Sequence, residues 1–209
     1  DTVEVNGEKY TGKNVVLATG SYAKTLPGLE IDGKKIITSD HATKLEYVPK
    51  SVIVLGGGVI GCEFASVWKS FGAEVTIIEG LSHLVALEDE SSSKQLERAF
   101  RKRGINFELG VRFQSASING DSVTVTLEDG KTFTADVLLV SVGRGPVSAN
   151  LGYEEQGVYS NGSLSMSGIK LIGGSNQFYI SFKVNSGFGF YAAVFGYGVN
   201  QSTPPLVLY

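Results

Sequence analysis

Pro49-Lys50-Ser51-Val52-Ile53-Val54-Leu55-Gly56-Gly57-Gly58-Val59-Ile60-Gly61-Cys62-Glu63-Phe64-Ala65 decides the fold. Val52 to Leu55 is a short apolar run that reads as a buried strand, and it breaks into three glycines. A helical pattern follows, with Ile60, Phe64, Val67, Trp68 and Phe71 on one face and Gly72 as a left-handed stop. Gly56, Gly58 and Gly61 satisfy G-x-G-x-x-G between strand and helix. In that setting Gly56 makes the tight turn, Gly58 lets backbone approach a diphosphate, and Gly61 lets the helix pack on the strand. The free N–H groups of the helix start then face an anion. Val75-Thr76-Ile77-Ile78 is a second apolar strand, and it ends in Glu79 at the spacing of a carboxylate that accepts from an adenosine ribose. An acid there favours NAD, because it repels a 2′-phosphate.

Composition sets the outer limits. The 209 residues suffice for one full domain with additions, and 42% hydrophobic content with a net charge of −3 indicates a globular, soluble, mildly acidic chain. That balance gives no electrostatic reason to expect nucleic acid or an anionic membrane as partner. One cysteine, Cys62, excludes an internal disulfide and a cysteine-only metal cluster. The polar start Asp1-Thr2-Val3-Glu4 is no targeting signal and reads as a chain entered mid-domain, so the expected location is cytoplasmic. No apolar run approaches the roughly 18 residues of a membrane span. Of 18 Lys+Arg and 21 Asp+Glu, only Lys170 and Lys183 lie beyond residue 158. So sharp a shift marks the last fifty or so residues as something different.

Along the chain, Asn6-Gly7 is a two-residue hairpin turn between Val3-Glu4-Val5 and Lys9-Tyr10-Thr11. Asn14 to Ala18 reads as an apolar strand running into Thr19-Gly20-Ser21. Residues 21–49 read as a connector with little regular structure beyond a short helix near His41 to Leu45. A helix is expected from about Asp89 to Arg103, acidic at its start and basic at its end, with Gly104 closing it. The strand Ile105 to Leu109 follows. A meander over Phe113–Ile118, Ser122–Leu127 and Lys131–Ala135 comes next, turning at Asn119-Gly120 and Asp129-Gly130. Val137-Leu138-Leu139-Val140 is apolar on both faces, as a central parallel strand requires, and runs into Ser141-Val142-Gly143-Arg144-Gly145-Pro146. The fold class is therefore α/β, a Rossmann-type domain with a parallel sheet and a β-meander in place of a third crossover helix, followed by an atypical tail. Phe178 to Val184 alternates as a strand, and Phe188 to Val199 is Gly- and aromatic-rich, β-prone and aggregation-prone.

Val16-Leu17-Ala18-Thr19-Gly20-Ser21 with Leu26-Pro27-Gly28, then Gly56 to Ala65, then Asp136 to Pro146 carry a resemblance. In their order and spacing, residues 1–158 are similar to the middle of the bacterial-type dihydrolipoamide dehydrogenases, within the FAD-dependent pyridine nucleotide-disulfide oxidoreductase family. The resemblance implies a domain plan: residues 1–30 as the end of an FAD-binding domain, 31–50 as connector, 51–150 as the NAD-binding domain and 159–209 as a non-family tail. It implies chemistry in which two electrons pass from a dithiol to a cysteine pair, to FAD, and as hydride to NAD. By position, Thr19, Gly20 and Ser21 would contact FAD. Gly56, Gly57, Gly58, Val59, Ile60 and Gly61 would hold the NAD diphosphate, and Glu79 the ribose. Val59 falls where the family places a gate residue over the flavin, Glu63 where a carboxylate orients the nicotinamide, Gly143 in the NAD groove and Phe113 beside the adenine. The family partner is a dihydrolipoamide-bearing acyltransferase, and the family is homodimeric. The flavin-binding Gly loop, the cysteine pair, the Gly-Asp segment, the dimer domain and its His–Glu pair are all missing from this stretch, so catalysis by these residues alone is not expected.

Individual residues carry alternatives. Cys62, one residue past Gly61 and without a partner, reads as a small buried residue rather than a redox thiol. His41 and His83 read as loop residues, with no metal or triad pattern around them. Glu63 is a solvated surface acid or a nicotinamide contact, Glu79 a ribose contact or a cap, and Arg144 a phosphate contact or a surface arginine. Glu88-Asp89-Glu90 reads as a helix-start cluster. Three readings of the whole stand side by side: part of a dehydrogenase, a stand-alone NAD-binding module, or a truncated or frame-shifted product whose tail self-associates. The tail is expected to be a reading-frame artefact or an unrelated fusion.

Overall fold

The computed structural model describes residues 2–13, 15–16 and 18–152, and beyond these only the backbone of Gln177–Phe178 and Tyr197–Gly198. The contacts divide the chain into two units, residues 1–22 with 145–209, and residues 23–144.

In the first unit, β1 (Thr2–Val5) and β2 (Glu8–Thr11) pair antiparallel in the register Val5↔Glu8. Asn6 and Gly7 both take positive φ, 53° and 83°, which the tight two-residue hairpin turn demands. Val15, Val16 and Ala18 do not form the strand expected there, and β3 begins only at Ser21, running to Ala23. An apolar run becomes a strand only where another strand can take its backbone groups.

The second unit is built on a five-stranded parallel sheet. Its strands are β4 (Ile36–Thr38), β5 (Ser51–Leu55), β6 (Glu74–Glu79), β7 (Asn106–Leu109) and β11 (Val137–Val140), in the order β4-β11-β5-β6-β7. β4 corrects the expectation of an irregular connector over residues 21–49. Ile36-Ile37-Thr38 is too short to show a period, yet all three residues are buried and the strand pairs in parallel with β11. Asp32 starts it by accepting the backbone N–H groups of Lys34, Lys35 and Ile36 at 2.8–2.9 Å. Helix α1 (Ser39–Ala42) follows directly, earlier and shorter than the His41–Leu45 helix predicted. His41 is thus a helix residue rather than a loop residue, and its Nδ1 lies 2.8 Å from the Thr38 hydroxyl.

Side chains leave the sheet alternately on its two faces, as strand geometry requires. Val52, Val54, Val75, Ile77, Val137 and Leu139 pack against helices α2 (Val59–Ser70) and α3 (Glu90–Arg103). Ile53, Leu55, Ile78, Leu138 and Val140 pack against the antiparallel meander of β8 (Phe113–Asn119), β9 (Ser122–Leu127) and β10 (Thr132–Ala135). Each large apolar side chain so buried contributes about 1.5–3 kcal/mol. The result is three layers, helices over parallel sheet over meander, and it bears out the expected fold class.

The helices obey their end signals. Asp89 accepts the N–H groups of Ser91 and Ser92 at the start of α3, and Gly104 ends it with φ 73°. The face of α2 differs from prediction. Gly61, Cys62, Ala65 and Trp68 are its buried residues, while Val67 is 46% and Phe71 65% exposed. A helix lying this close to a sheet buries its small residues, and the larger ones project sideways.

The chain passes between the units at β3 and at β12 (Arg144–Pro146), which pair as a two-stranded ribbon. β13 (Gln177–Phe178) and β14 (Tyr197–Gly198) pair antiparallel. The rest of the strand expected over Phe178–Val184, and the Gly- and aromatic-rich run other than β14, lie outside the described residues. Among the described residues no helix is long and apolar enough to cross a membrane.

Candidate functional site

The glycine bend sits at the carboxyl end of β5, where the strand order turns back: β6 lies on one side and β11, the last strand of the sheet, on the other. In open α/β sheets such a crevice is where ligands bind. Each glycine there answers to a measurable constraint. Gly56 has φ 105°, and a Cβ on it would stand 2.5 Å from the Ser141 carbonyl oxygen. A Cβ on Gly61 would stand 2.0 Å from the Gly56 carbonyl oxygen, so the helix can start here only without a side chain. A Cβ on Gly57 would meet Leu84 Cδ2 at 2.7 Å. Gly58 is exposed, and a Cβ on it would meet nothing within 4 Å. Three glycines are filled in from behind; the fourth opens outward.

Helix α2 begins at that opening. Its N-cap is Gly58, no side chain caps it, and its first turn carries no acid. Helix α3 is the contrast, with Asp89 capping and Glu90 in its first turn. The positive end of α2, lined by Val59, Ile60 and Gly61, is therefore left for an external anion.

Glu79 ends β6 and turns to the same bend. Its Oε2 accepts the Gly57 N–H at 2.5 Å, and its Oε1 accepts the Leu81 N–H at 2.8 Å. The two readings of this residue are therefore not exclusive: the carboxylate braces the bend and stays half-buried at its mouth. Ser141, after β11, locks the other side by donating its hydroxyl to the Leu55 and Gly56 carbonyls at 3.1 and 3.0 Å.

Cys62 lies buried inside α2 with its thiol 3.3 Å from the Gly57 carbonyl. Burial pushes this thiol up to about 12, helped by the charges of Glu79 and Glu63. A thiol held neutral at that level is no nucleophile near neutral pH, which supports the packing reading.

Glu63 projects from α2 into solvent. Gly143 has φ 114°, and its carbonyl accepts the Lys24 N–H at 2.9 Å. Phe113 is half-buried and packs on the meander side of the sheet. The Arg144 guanidinium is mostly buried and lies 3.3 Å from the Ser39 hydroxyl and 3.5 Å from Asp40. Thr19, Gly20 and Ser21 belong to the other unit. There Thr19 donates to the Val147 carbonyl at 2.5 Å, Gly20 accepts the Val147 N–H at 3.0 Å, and Ser21 opens β3. These bonds tie the segment to the backbone at Val147.

Sequence reasoning passed over Leu84, Val85 and Glu97. Leu84 is fully buried beneath Gly57, and Val85 donates its N–H to the Gly57 carbonyl at 2.8 Å. Glu97 is 8% exposed and accepts the Leu84 N–H at 3.2 Å. The one signal available was an acid on the same side of α3 as Phe100.

Comparison with known proteins supplies the family. The sequence matches the model of the family described as pyridine nucleotide-disulphide oxidoreductase over residues 1–166. It is 44% identical over 165 residues to a dihydrolipoamide dehydrogenase of Chaetomium thermophilum, covering 75% of this chain and 33% of that one. It is 46% identical over 151 residues to a mitochondrial dihydrolipoyl dehydrogenase of Schizosaccharomyces pombe, covering 70% and 30%. Among solved structures, LpdA of Mycobacterium tuberculosis superposes with a TM-score of 0.68 at 31% identity, over 74% of this chain and 34% of that one. The chain thus spans about a third of the length of the curated relatives it matches. A family match over most of the chain, on a three-layer fold that closes a glycine bend with an acid from the next strand, places the chain in the pyridine nucleotide-disulphide oxidoreductases, the flavoprotein oxidoreductases that include the dihydrolipoyl dehydrogenases.

Proposed function

We propose that this chain is the nicotinamide-dinucleotide-binding portion of a dihydrolipoyl dehydrogenase-like flavoprotein, with residues 51–150 as the binding domain. The observation that carries the reading is the Glu79 carboxylate on the Gly57 amide beside an unobstructed Gly58. The N–H groups at the start of α2 hold the diphosphate, and Glu79 accepts from an unphosphorylated ribose. A 2′-phosphate would set a second negative charge against that carboxylate, so NAD is preferred to NADP. When bound, NAD supplies a hydride acceptor. Glu63, Val59, Gly143 and Phe113 are assigned to the nicotinamide, the flavin-facing side, the groove and the adenine on the resemblance alone.

In the whole protein of this family, electrons pass from a dithiol to FAD and on to NAD, with a dihydrolipoamide-bearing acyltransferase as partner and a homodimer as the assembly. Thr19, Gly20 and Ser21 are assigned to the flavin on the same basis. This chain has a single, buried cysteine, and on this reading it turns nothing over by itself.

Titration of NADH fluorescence against the purified chain tests the reading. Saturable binding, weaker for NADPH, is the expected result; no saturation for either overturns it. Adding FAD, NADH and an electron-accepting dye is expected to give no turnover, and turnover would make the chain an enzyme in its own right.

A further inference from the structure

The segment after Glu79 is held from both sides in a way that binding a dinucleotide does not by itself require. Leu84 is fully buried, with Cδ2 2.7 Å from where a Gly57 Cβ would stand, so its side chain forms the floor under the glycine bend. Val85 follows with φ 44°, a left-handed conformation that a β-branched residue adopts only under constraint. Its N–H donates to the Gly57 carbonyl at 2.8 Å, and its own carbonyl accepts the Glu88 N–H at 2.9 Å and the buried Ser93 hydroxyl at 3.3 Å. The Leu84 N–H is taken by Glu97 at 3.2 Å. Glu97 is itself fixed by His83 at 3.9 Å and by Arg101, one turn on, at 3.7 Å. Helix α3 therefore presents two buried polar groups, Ser93 and Glu97 one turn apart, to two consecutive residues of this segment.

We propose that Glu97 is a positioning residue for the dinucleotide bend. Through the Leu84 amide it seats the Leu84–Val85 clasp, and the clasp fixes the Gly57 peptide whose N–H meets Glu79. The inference rests on the nucleotide-binding reading above and extends it to a residue on a helix that does not border the bend. A buried carboxylate with a backbone donor and both an imidazole and a guanidinium beside it holds one geometry, which suits a part that must set another part. At its positive φ, Val85 has its N–H on the Gly57 carbonyl and its own carbonyl on the Ser93 hydroxyl and the Glu88 N–H.

The test combines amide hydrogen exchange with NADH titration on the full chain and on the Glu97→Ala, Glu97→Gln, Ser93→Ala and Glu90→Ala variants. Glu97→Ala is expected to speed exchange at Leu84 and Gly57, leave the β5 core amides of Val52 to Leu55 protected, and weaken NADH about tenfold, the scale of one buried backbone donor left unmade. Glu97→Gln keeps an oxygen for the Leu84 N–H and is expected to restore wild-type exchange and affinity. Glu90→Ala removes an exposed acid of the same helix and is expected to change neither. Should Glu97→Ala fail to fold, Ser93→Ala removes the side-chain donor from the Val85 carbonyl, leaving it only the Glu88 N–H, and is expected to move Gly57 exchange the same way by a smaller amount. Unchanged exchange at Leu84 and Gly57 in Glu97→Ala, or in Ser93→Ala where that variant stands in, overturns the inference whatever NADH does. Faster exchange in a chain whose wild type binds no NADH would uphold the clasp and overturn the nucleotide reading instead.

Discussion

The Glu79 carboxylate reaches across from β6 to the Gly57 amide at 2.5 Å, joining the acid that would read the sugar to the bend that would hold the diphosphate. With its other oxygen on the Leu81 N–H, the carboxylate has one preferred orientation before any ligand arrives. A group fixed in advance gives up little freedom on binding.

Glu79→Ala removes the acceptor from two backbone amides and the negative charge at the mouth of the bend. Hydrogen bonds to charged groups are worth about 1.5–3 kcal/mol, so NADH affinity should fall roughly ten- to hundredfold. NADPH should lose less, because the repulsion goes too. Parallel fluorescence titrations measure the ratio, and an unaltered preference would show that Glu79 does not face the sugar.

Gly58 and Gly61 should respond oppositely to the same methyl group. At Gly61 a Cβ lands 2.0 Å from a backbone oxygen, and overpacking of this kind costs about 1–3 kcal/mol. Gly61→Ala should therefore lower the urea midpoint. At Gly58, where φ is −70°, alanine meets no clash in the fold, and stability should stay within about 0.5 kcal/mol. The new methyl would occupy the approach of the diphosphate, so NADH binding should be lost with the midpoint preserved. Gly58→Ala that binds NADH like wild type would move the diphosphate elsewhere.

What the sequence made legible follows the range of the forces involved. Gly56 and Gly61 could be read because the bend is local, a strand, a turn and a helix start within about ten residues, and Glu79 because it closes the next strand at a fixed spacing after the bend. Helix α3 and the meander could be read because caps and turns announce themselves in single residues such as Asp89 and Gly104. β4 could not, since three residues owe their strand state to β11, a hundred positions away. The face of α2 was misjudged for a related reason. Large apolar residues suggested a stripe through Val67 and Phe71, while the close approach of helix to sheet selected Gly61 and Ala65. Leu84, Val85 and Glu97 left almost no trace, because what they touch is set by tertiary structure: Leu84 and Val85 meet Gly57, and Glu97 meets Leu84.

Asp32 makes β4 sensitive to acid. Burial works against its ionised form, but the N–H groups of Lys34, Ile36 and Lys35 together outweigh that and hold the carboxyl below its ordinary value of 3.8. A folded pKa below the unfolded one means the stabilisation is present in full above about pH 4 and is lost as the pH falls through the folded value. Asp32→Asn keeps an acceptor oxygen but has no proton to gain. The stability gap between wild type and Asp32→Asn should stay constant from neutral pH down to about pH 5 and shrink below about pH 4. Urea unfolding across that range measures it, and a gap that widened in acid would contradict the sign.

Cys62 offers a test of the interior around the bend. Its thiol is buried, lies 3.3 Å from the Gly57 carbonyl, and is pushed up to about 12 by burial and by the charges of Glu79 and Glu63. Thiolate is the reactive form, so the folded chain near neutral pH presents almost none. A thiol-specific reagent should therefore leave Cys62 unmodified in native buffer and label it completely in denaturant. In intermediate urea the labelling rate should follow the unfolded fraction. Replacing Glu79 with alanine removes one of the charges that raise the thiol, but burial is the largest cause, so native-state protection should persist in that variant. Rapid labelling of the folded wild type would mean that α2 opens away from the bend on its own, and the diphosphate site would then lack the fixed helix end on which it depends.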